Sequence, residues 1–171
     1  KRTEEIEKFF NVIESTKIKD KVEEVYLNQI IDIDNLKCEI LGIKNPEITT
    51  NPINNSSMVI KMNINNKSIL FLADTGKESG QKLIQNQKEK LKSDIVQMAH
   101  HGQAGVDKEV YEAIQPKICL WPTSEWLWNN NPGTGYNTGN WTTLETRKWV
   151  EDLNVKTNYV EKDGDISFRV W

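Results

Sequence analysis

Three apolar runs of strand length lie between residues 56 and 102, and two of them end in chemistry. The first is Ser56-Ser57-Met58-Val59-Ile60-Lys61-Met62. The second, Ser68-Ile69-Leu70-Phe71-Leu72-Ala73, runs into Asp74-Thr75-Gly76. The third, Ser93-Asp94-Ile95-Val96-Gln97-Met98-Ala99, runs into His100-His101-Gly102, which holds the only two histidines of the protein. Polar groups at the carboxyl ends of neighbouring strands are how open α/β sheets build active sites. The fold class expected is therefore α/β, with Asp74 and the His100-His101 pair at one edge of a sheet. Gly76 and Gly102, just past them, suit tight exits or a close approach of backbone.

At 171 residues the whole chain, 1–171, reads as a single domain with room for a core. A net charge of −3 argues against a nucleic-acid surface that works by charge alone, though not against a local basic groove. Cys119 sits in the apolar run Ile118-Cys119-Leu120-Trp121, so it reads as a buried thiol rather than half of a disulfide with Cys38. No run approaches the roughly 18 apolar residues of a membrane span, and no signal-peptide pattern is present. The first residue is Lys1, and the chain reads as a piece of a longer protein.

In chain order, residues 3–15 predict a helix with a core-facing stripe at Ile6, Phe9, Phe10 and Ile13, and Thr3 as its cap. Residues 22–33 predict one or two short strands, and Leu36 to Ile43 another. The turn-rich stretch 44–57 is a surface loop or a rim of the site. Residues 58–64 and 68–73 predict a hairpin turned by Asn65-Asn66-Lys67. A helix over 79–91, a strand over 94–99, a helix over 107–114 and a buried strand over 118–121 follow. A helix capped by Thr142 extends to Leu153. Strands over 155–160 and 165–171 are expected as a closing hairpin through Lys162-Asp163-Gly164. Between the strand over 118–121 and the Thr142 helix, the loop around 121–141 carries Trp121, Trp126, Trp128 and Trp141. Those rings either pin the loop to the core or line a binding cleft.

These motifs, in this order, resemble the second half of a metallo-β-lactamase-fold hydrolase, in the branch attached to the bacterial DNA-uptake channel protein ComEC. The residues that carry the likeness are Asn54-Asn55-Ser56-Ser57, Phe71-Leu72-Ala73-Asp74, Leu91-Lys92-Ser93-Asp94-Ile95-Val96, His100-His101-Gly102 and Asp163-Gly164-Asp165-Ile166. The resemblance spans roughly residues 20–171. It implies the C-terminal half of a four-layer αββα sandwich with two zinc ions at the strand ends. Asp74 would then be the carboxylate that bridges the metals. His100 and His101 would bind metal or protonate the leaving group, with His101 favoured for the chemical role. A phosphodiesterase or nuclease linked to DNA uptake is the function implied, with nucleic acid or another phosphoester as substrate. Such a domain would be cytoplasmic or sit on the outer face of a bacterial membrane.

The chain also departs from that pattern. His-X-His-X-Asp-His is absent, and Tyr136, Asn137 and Asn140 stand where a Gly-His-Pro step is expected. The usual Gly-Asp has become Ala73-Asp74 and the usual His-His-Gly-Ser has become His100-His101-Gly102-Gln103. One chain of this composition cannot assemble a two-metal site alone. It is a fragment whose partner is the missing N-terminal half, a degenerate binding module that uses the tryptophan loop, or one side of a site completed by a second chain. Without the resemblance, the histidine pair reads first as a strand-end cap bonded to backbone, and Asp74 as the cap of the following helix, a role that does not preclude metal binding.

Overall fold

A computed structural model describes residues 4–167 and 169. The paired asparagines Asn65 and Asn66 take φ values of 48° and 61°, the positive pair that a two-residue hairpin turn demands. They join β3 (Val59–Ile64) to β4 (Lys67–Phe71), and the expected hairpin forms. Before it, β1 (Ile30–Ile33) and β2 (Leu36–Gly42) complete a four-strand antiparallel meander. After it, β5 (Ile95–Gln97), β6 (Ile118–Trp121) and β7 (Thr157–Val160) add in parallel, so the seven-strand sheet runs in sequence order. The parallel steps cross over through α2 (Lys77–Leu91), α3 (Lys108–Ile114) and α5 (Thr143–Asp152). A short α4 (Glu125–Trp128) lies in the tryptophan loop.

Right-handed crossovers in one direction place all three helices on one face of the sheet, and α2 packs on α3 as α3 does on α5. Leu70, Leu72, Val96, Met98 and Cys119 point into that layer and are buried with Leu83, Val110, Tyr111 and Ile114. The alternate residues point the other way. The register puts Ile60 beside Phe71 and Met62 beside Ile69. This second face, with Leu36, Ile118 and Leu120 on it, is apolar and partly exposed. One sheet and one helical layer are thus the α/β arrangement expected.

Cys38 shares the open face with Met62, whereas Cys119 faces the helices. The sheet separates the two thiols, and both are free. Burial pushes the Cys119 thiol up to about 12.

Several expectations need correction. The helix predicted over 3–15 exists as α1 (Glu4–Ser15), but its apolar face is not core. Ile6, Phe9, Phe10 and Val12 are all exposed. The proposed cap, Thr3, lies outside the described residues. Residues 22–29 form no strand, leaving β1 alone. The closing hairpin does not form over the described residues. Glu161–Asp163 make a 3-10 turn, with the Gly164 N–H donating to the Glu161 carbonyl at 2.9 Å. Residues 165–167 carry no strand, and 168, 170 and 171 lie outside the described residues. Thr142 does not cap α5 through its side chain. Its hydroxyl instead accepts the Ala104 N–H at 2.8 Å.

At the amino ends of the parallel strands one carboxylate ties three segments together. Asp94 accepts from the Ser68 N–H at 3.1 Å and from the Lys117 ammonium at 2.7 Å. That Lys117 bond, with the Ser68 N–H assisting, holds the Asp94 carboxyl below its ordinary value. A depressed carboxyl stabilises the fold above the unfolded-state pKa of about 3.9 and loses that contribution as pH falls through the folded value. Asp94→Ala is expected to cost about 1–2 kcal/mol at neutral pH. The gap from wild type should begin to narrow in urea titrations only as pH falls below the ordinary carboxyl value of about 3.9.

Candidate active site at the carboxyl ends of β4, β5 and β6

The opposite edge of the sheet gathers the residues the sequence singled out. Its scaffold starts with Gln97 on β5. The Gln97 amide oxygen accepts the N–H groups of Leu72 and Ala73 at 3.1 and 2.8 Å, where β4 has run out of strand partners. The Ala73 carbonyl in turn accepts the His100 N–H at 2.9 Å. The Asp74 loop and the histidine turn are therefore laced together before any side-chain chemistry is considered.

The backbone here is strained. Ala73 has φ 48°, His100 φ 47° and His101 φ 58°, followed by Gly102 at φ 78°. Left-handed conformation costs a non-glycine residue roughly 1 kcal/mol or more. Two consecutive histidines in that region make a sharp reversal. It is braced by the buried Thr123 hydroxyl, which donates to the His101 carbonyl at 2.6 Å.

The reversal sends the two imidazoles in different directions. The His101 Nδ1 lies 2.7 Å from the Pro122 carbonyl, an atom that can only accept. Nδ1 therefore carries the proton, and in the neutral ring Nε2 presents its lone pair. Nε2 lies 3.7 Å from Asp74 Oδ1, and both side chains are about half exposed. The His100 ring centroid is 6.2 Å from that of His101. Its Nε2 sits 3.1 Å from the side-chain nitrogens of both Asn54 and Gln103, and its Nδ1 is buried without a partner. Asp74 and His101 are thus brought together, while His100 is held apart by amides. Asp74 does not cap α2. Gly76 stands at that position, and the first-turn N–H of Ser79 is met by Asn55 Oδ1 instead.

The loop over 44–57 rims the site, since Asn54 comes from it. Asn54 and Gln103 appear in the sequence motifs without a role assigned to them, and Pro122 and Thr123 were not singled out at all. Asn54 lies 46 residues from His100, and the carbonyl of Pro122 has no side-chain signature at all.

Zinc, implied by the resemblance, can be tested against this geometry. Two donors on one tetrahedral zinc, each about 2.1 Å away, stand about 3.4 Å apart. The Asp74–His101 separation suits such a pair. A complete centre needs more. Among the described residues no group of three or more His, Cys, Asp or Glu side chains is placed to hold a metal ion. The described residues therefore do not fit a full zinc centre.

No family model matches the chain. It is 29% identical over 100 residues to ComE operon protein 3 of Bacillus subtilis (strain 168), a match covering 58% of this chain and 12% of that protein. The chain thus spans about an eighth of the length of that curated relative. Among solved structures, the fold is similar to that of a CmlA beta-hydroxylase E377D mutant. The TM-score is 0.51 at 13% identity, with 81% of this chain and 32% of that one covered. The metallo-beta-lactamase fold protein YhfI from Bacillus subtilis aligns with a TM-score of 0.46 at 9% identity, over 82% of this chain and 53% of that one. The sequence match bears out the ComEC-like resemblance, and the first structural match shows a shared fold. Among the described residues no helix is long and apolar enough to cross a membrane.

Proposed function

We propose that this chain is one half of a metal-dependent hydrolase of the metallo-β-lactamase superfamily, acting on phosphodiester bonds. Asp74 and His101 are its contribution to the metal ligands. The remaining ligands come from residues outside this sequence, in a further segment of a longer polypeptide or in a second chain. The observation that carries the reading is the orientation of His101. Its Nδ1 proton is committed to the Pro122 carbonyl, and its Nε2 lone pair faces the Asp74 carboxylate at 3.7 Å. A backbone carbonyl on one ring nitrogen is the usual way a protein fixes the other for a metal.

One further feature supports a second half. The apolar face carrying Ile60, Met62, Ile69 and Phe71 is partly exposed, and a second sheet packed about 10 Å above it would bury it. Such a sheet would also bring its own strand ends to the edge where Asp74 and His101 stand.

Zinc binding by the chain alone is expected to be weak, with Kd on the order of micromolar or higher. Asp74→Ala and His101→Ala should each weaken it at least tenfold. Isothermal titration of the three proteins measures this. Zinc binding indifferent to both substitutions, or none, would sink the assignment of these two residues. A second reading, a non-catalytic binding module, is favoured by the incomplete donor set together with the ordered tryptophan loop.

A further inference from the structure

The segment from Ser124 to Trp141 is a long irregular stretch whose own side chains hold it in one shape. Asn130, only 4% exposed, is its hub. Its amide nitrogen donates to Asn137 Oδ1 at 3.0 Å and to the Gly139 carbonyl at 3.1 Å, and its Oδ1 accepts the Trp141 N–H at 3.1 Å. Asn131 performs a similar service next door. Its Oδ1 accepts the N–H groups of Gly133 and Gly135, each at 2.9 Å. Gly139 fits so closely that a Cβ there would stand 2.5 Å from Asn130 Oδ1 and 2.6 Å from the Trp141 ring.

The four tryptophans of this region then divide into two pairs. Trp121 and Trp128 pack edge to face at 5.2 Å, and Arg147 lies 4.1 Å from the Trp128 ring centre. That pair pins the loop to the core. Trp126 and Trp141 form a second edge-to-face pair at 4.9 Å, and Trp126 is half exposed. Burying Trp126 would be worth about 2 kcal/mol or more, so its exposure on a preorganised loop calls for a ligand. Together the pair lines an open cleft of about 560 Å3.

The chemistry of the lining selects the ligand. Glu125 supplies one carboxylate, Asn129 and Asn131 supply amides, and no lysine or arginine lines the cleft. A nucleic-acid strand stacks on aromatics too, but it needs cations along its phosphates. A polyproline helix needs a groove between aromatic ridges. Here the two rings touch at 65° and offer one corner. A neutral sugar ring matches what remains. Its C–H face rests on an indole, and its hydroxyls meet a carboxylate and amides.

We propose that the Trp126–Trp141 cleft is a binding site for neutral carbohydrate. It opens three residues after Pro122, whose carbonyl orients His101. It therefore lies on the same edge of the sheet as Asp74, yet shares no residue with that pair. The proposal stands whether or not the chain is half of a hydrolase.

The test is titration of the chain with maltotriose, cellotriose and triacetylchitotriose, read by tryptophan fluorescence and calorimetry. The oligonucleotide dT10 and decaproline serve as the competing classes. At least one saccharide should saturate, with Kd on the order of 0.1–1 mM. Trp126→Ala should weaken it at least tenfold, Trp126→Tyr by less than about threefold, and Glu125→Gln by threefold or more. If Trp126→Ala fails to fold, the tyrosine and glutamine variants still decide. The proposal is overturned if no saccharide saturates, if binding survives Trp126→Ala in a folded protein, or if only dT10 or decaproline binds through Trp126.

Discussion

Gly102→Ala is expected to lower the stability of this chain by about 3 kcal/mol and to disturb the histidine turn. Two costs combine. Gly102 has φ 78°, a region that costs a residue with a Cβ roughly 1 kcal/mol or more. The added methyl would also stand 2.5 and 2.6 Å from two atoms of the Trp121 ring. Trp121 cannot move aside cheaply. It is 2% exposed, its indole N–H donates to Asn158 Oδ1 at 2.8 Å, and its ring packs on Trp128. Overpacking of that kind costs typically 1–3 kcal/mol. Gly133→Ala separates the two terms. Gly133 has φ 105° but nothing within 4 Å of its would-be Cβ, so it pays the backbone cost alone. Urea denaturation should place Gly102→Ala well below Gly133→Ala. Equal losses would mean that Trp121 yields and that the glycine serves only the turn.

What the sequence disclosed divides along a physical line. Local signals were legible. The Asn65-Asn66 turn, the apolar runs of β4, β5 and β6, and the helical pattern of α2 depend on near neighbours, and all formed. The edge that gathers Asp74 and His101 followed from strand order. Signals that depend on a partner were not legible. The stripe of α1 announces an apolar face but not what covers it, and Phe9 is 61% exposed. Lys162-Asp163-Gly164 carries a hairpin signal, yet the Lys162 N–H donates to the Thr123 carbonyl, and the chain turns as a 3-10 segment instead. A tertiary bond overrode a local preference. Strain was equally hidden. Nothing about histidine suggests that two in succession take positive φ, and that reversal is what separates the His101 and His100 rings. Thr142 resembled a helix cap because its hydroxyl is suited to that role, but the Ala104 N–H claims it.

Asn55 sits behind the site, and Asn55→Ala is expected to cost about 3 kcal/mol. It is fully buried, and every arm of its side chain is used. Nδ2 donates to the Thr50 carbonyl at 2.8 Å and to Glu78 Oε2 at 2.9 Å, and Oδ1 accepts the Ser79 N–H at 3.0 Å. The Ser79 N–H belongs to the first turn of α2, where the helix offers it no partner. Alanine would leave it, the Thr50 carbonyl and a carboxylate oxygen without this partner, at about 1 kcal/mol or more each. The effect should also reach the site. The next residue back, Asn54, holds His100 Nε2, and Gly76, at the mouth of α2, accommodates Asn55 Oδ1 within 2.7 Å of its would-be Cβ. The His100 ring resonances are therefore expected to broaden or shift in Asn55→Ala, while those of His101, held by Pro122, change less. Asn55→Asp keeps the acceptor for Ser79 but loses both donors and sets a buried carboxylate against Glu78 and the Thr50 carbonyl, so a loss at least as large as that of Asn55→Ala is expected at neutral pH. Denaturation with histidine-detected NMR decides the matter. A loss under about 0.5 kcal/mol, with an unchanged His100 signal, would show that the network is dispensable and that the loop over 44–57 does not position the site.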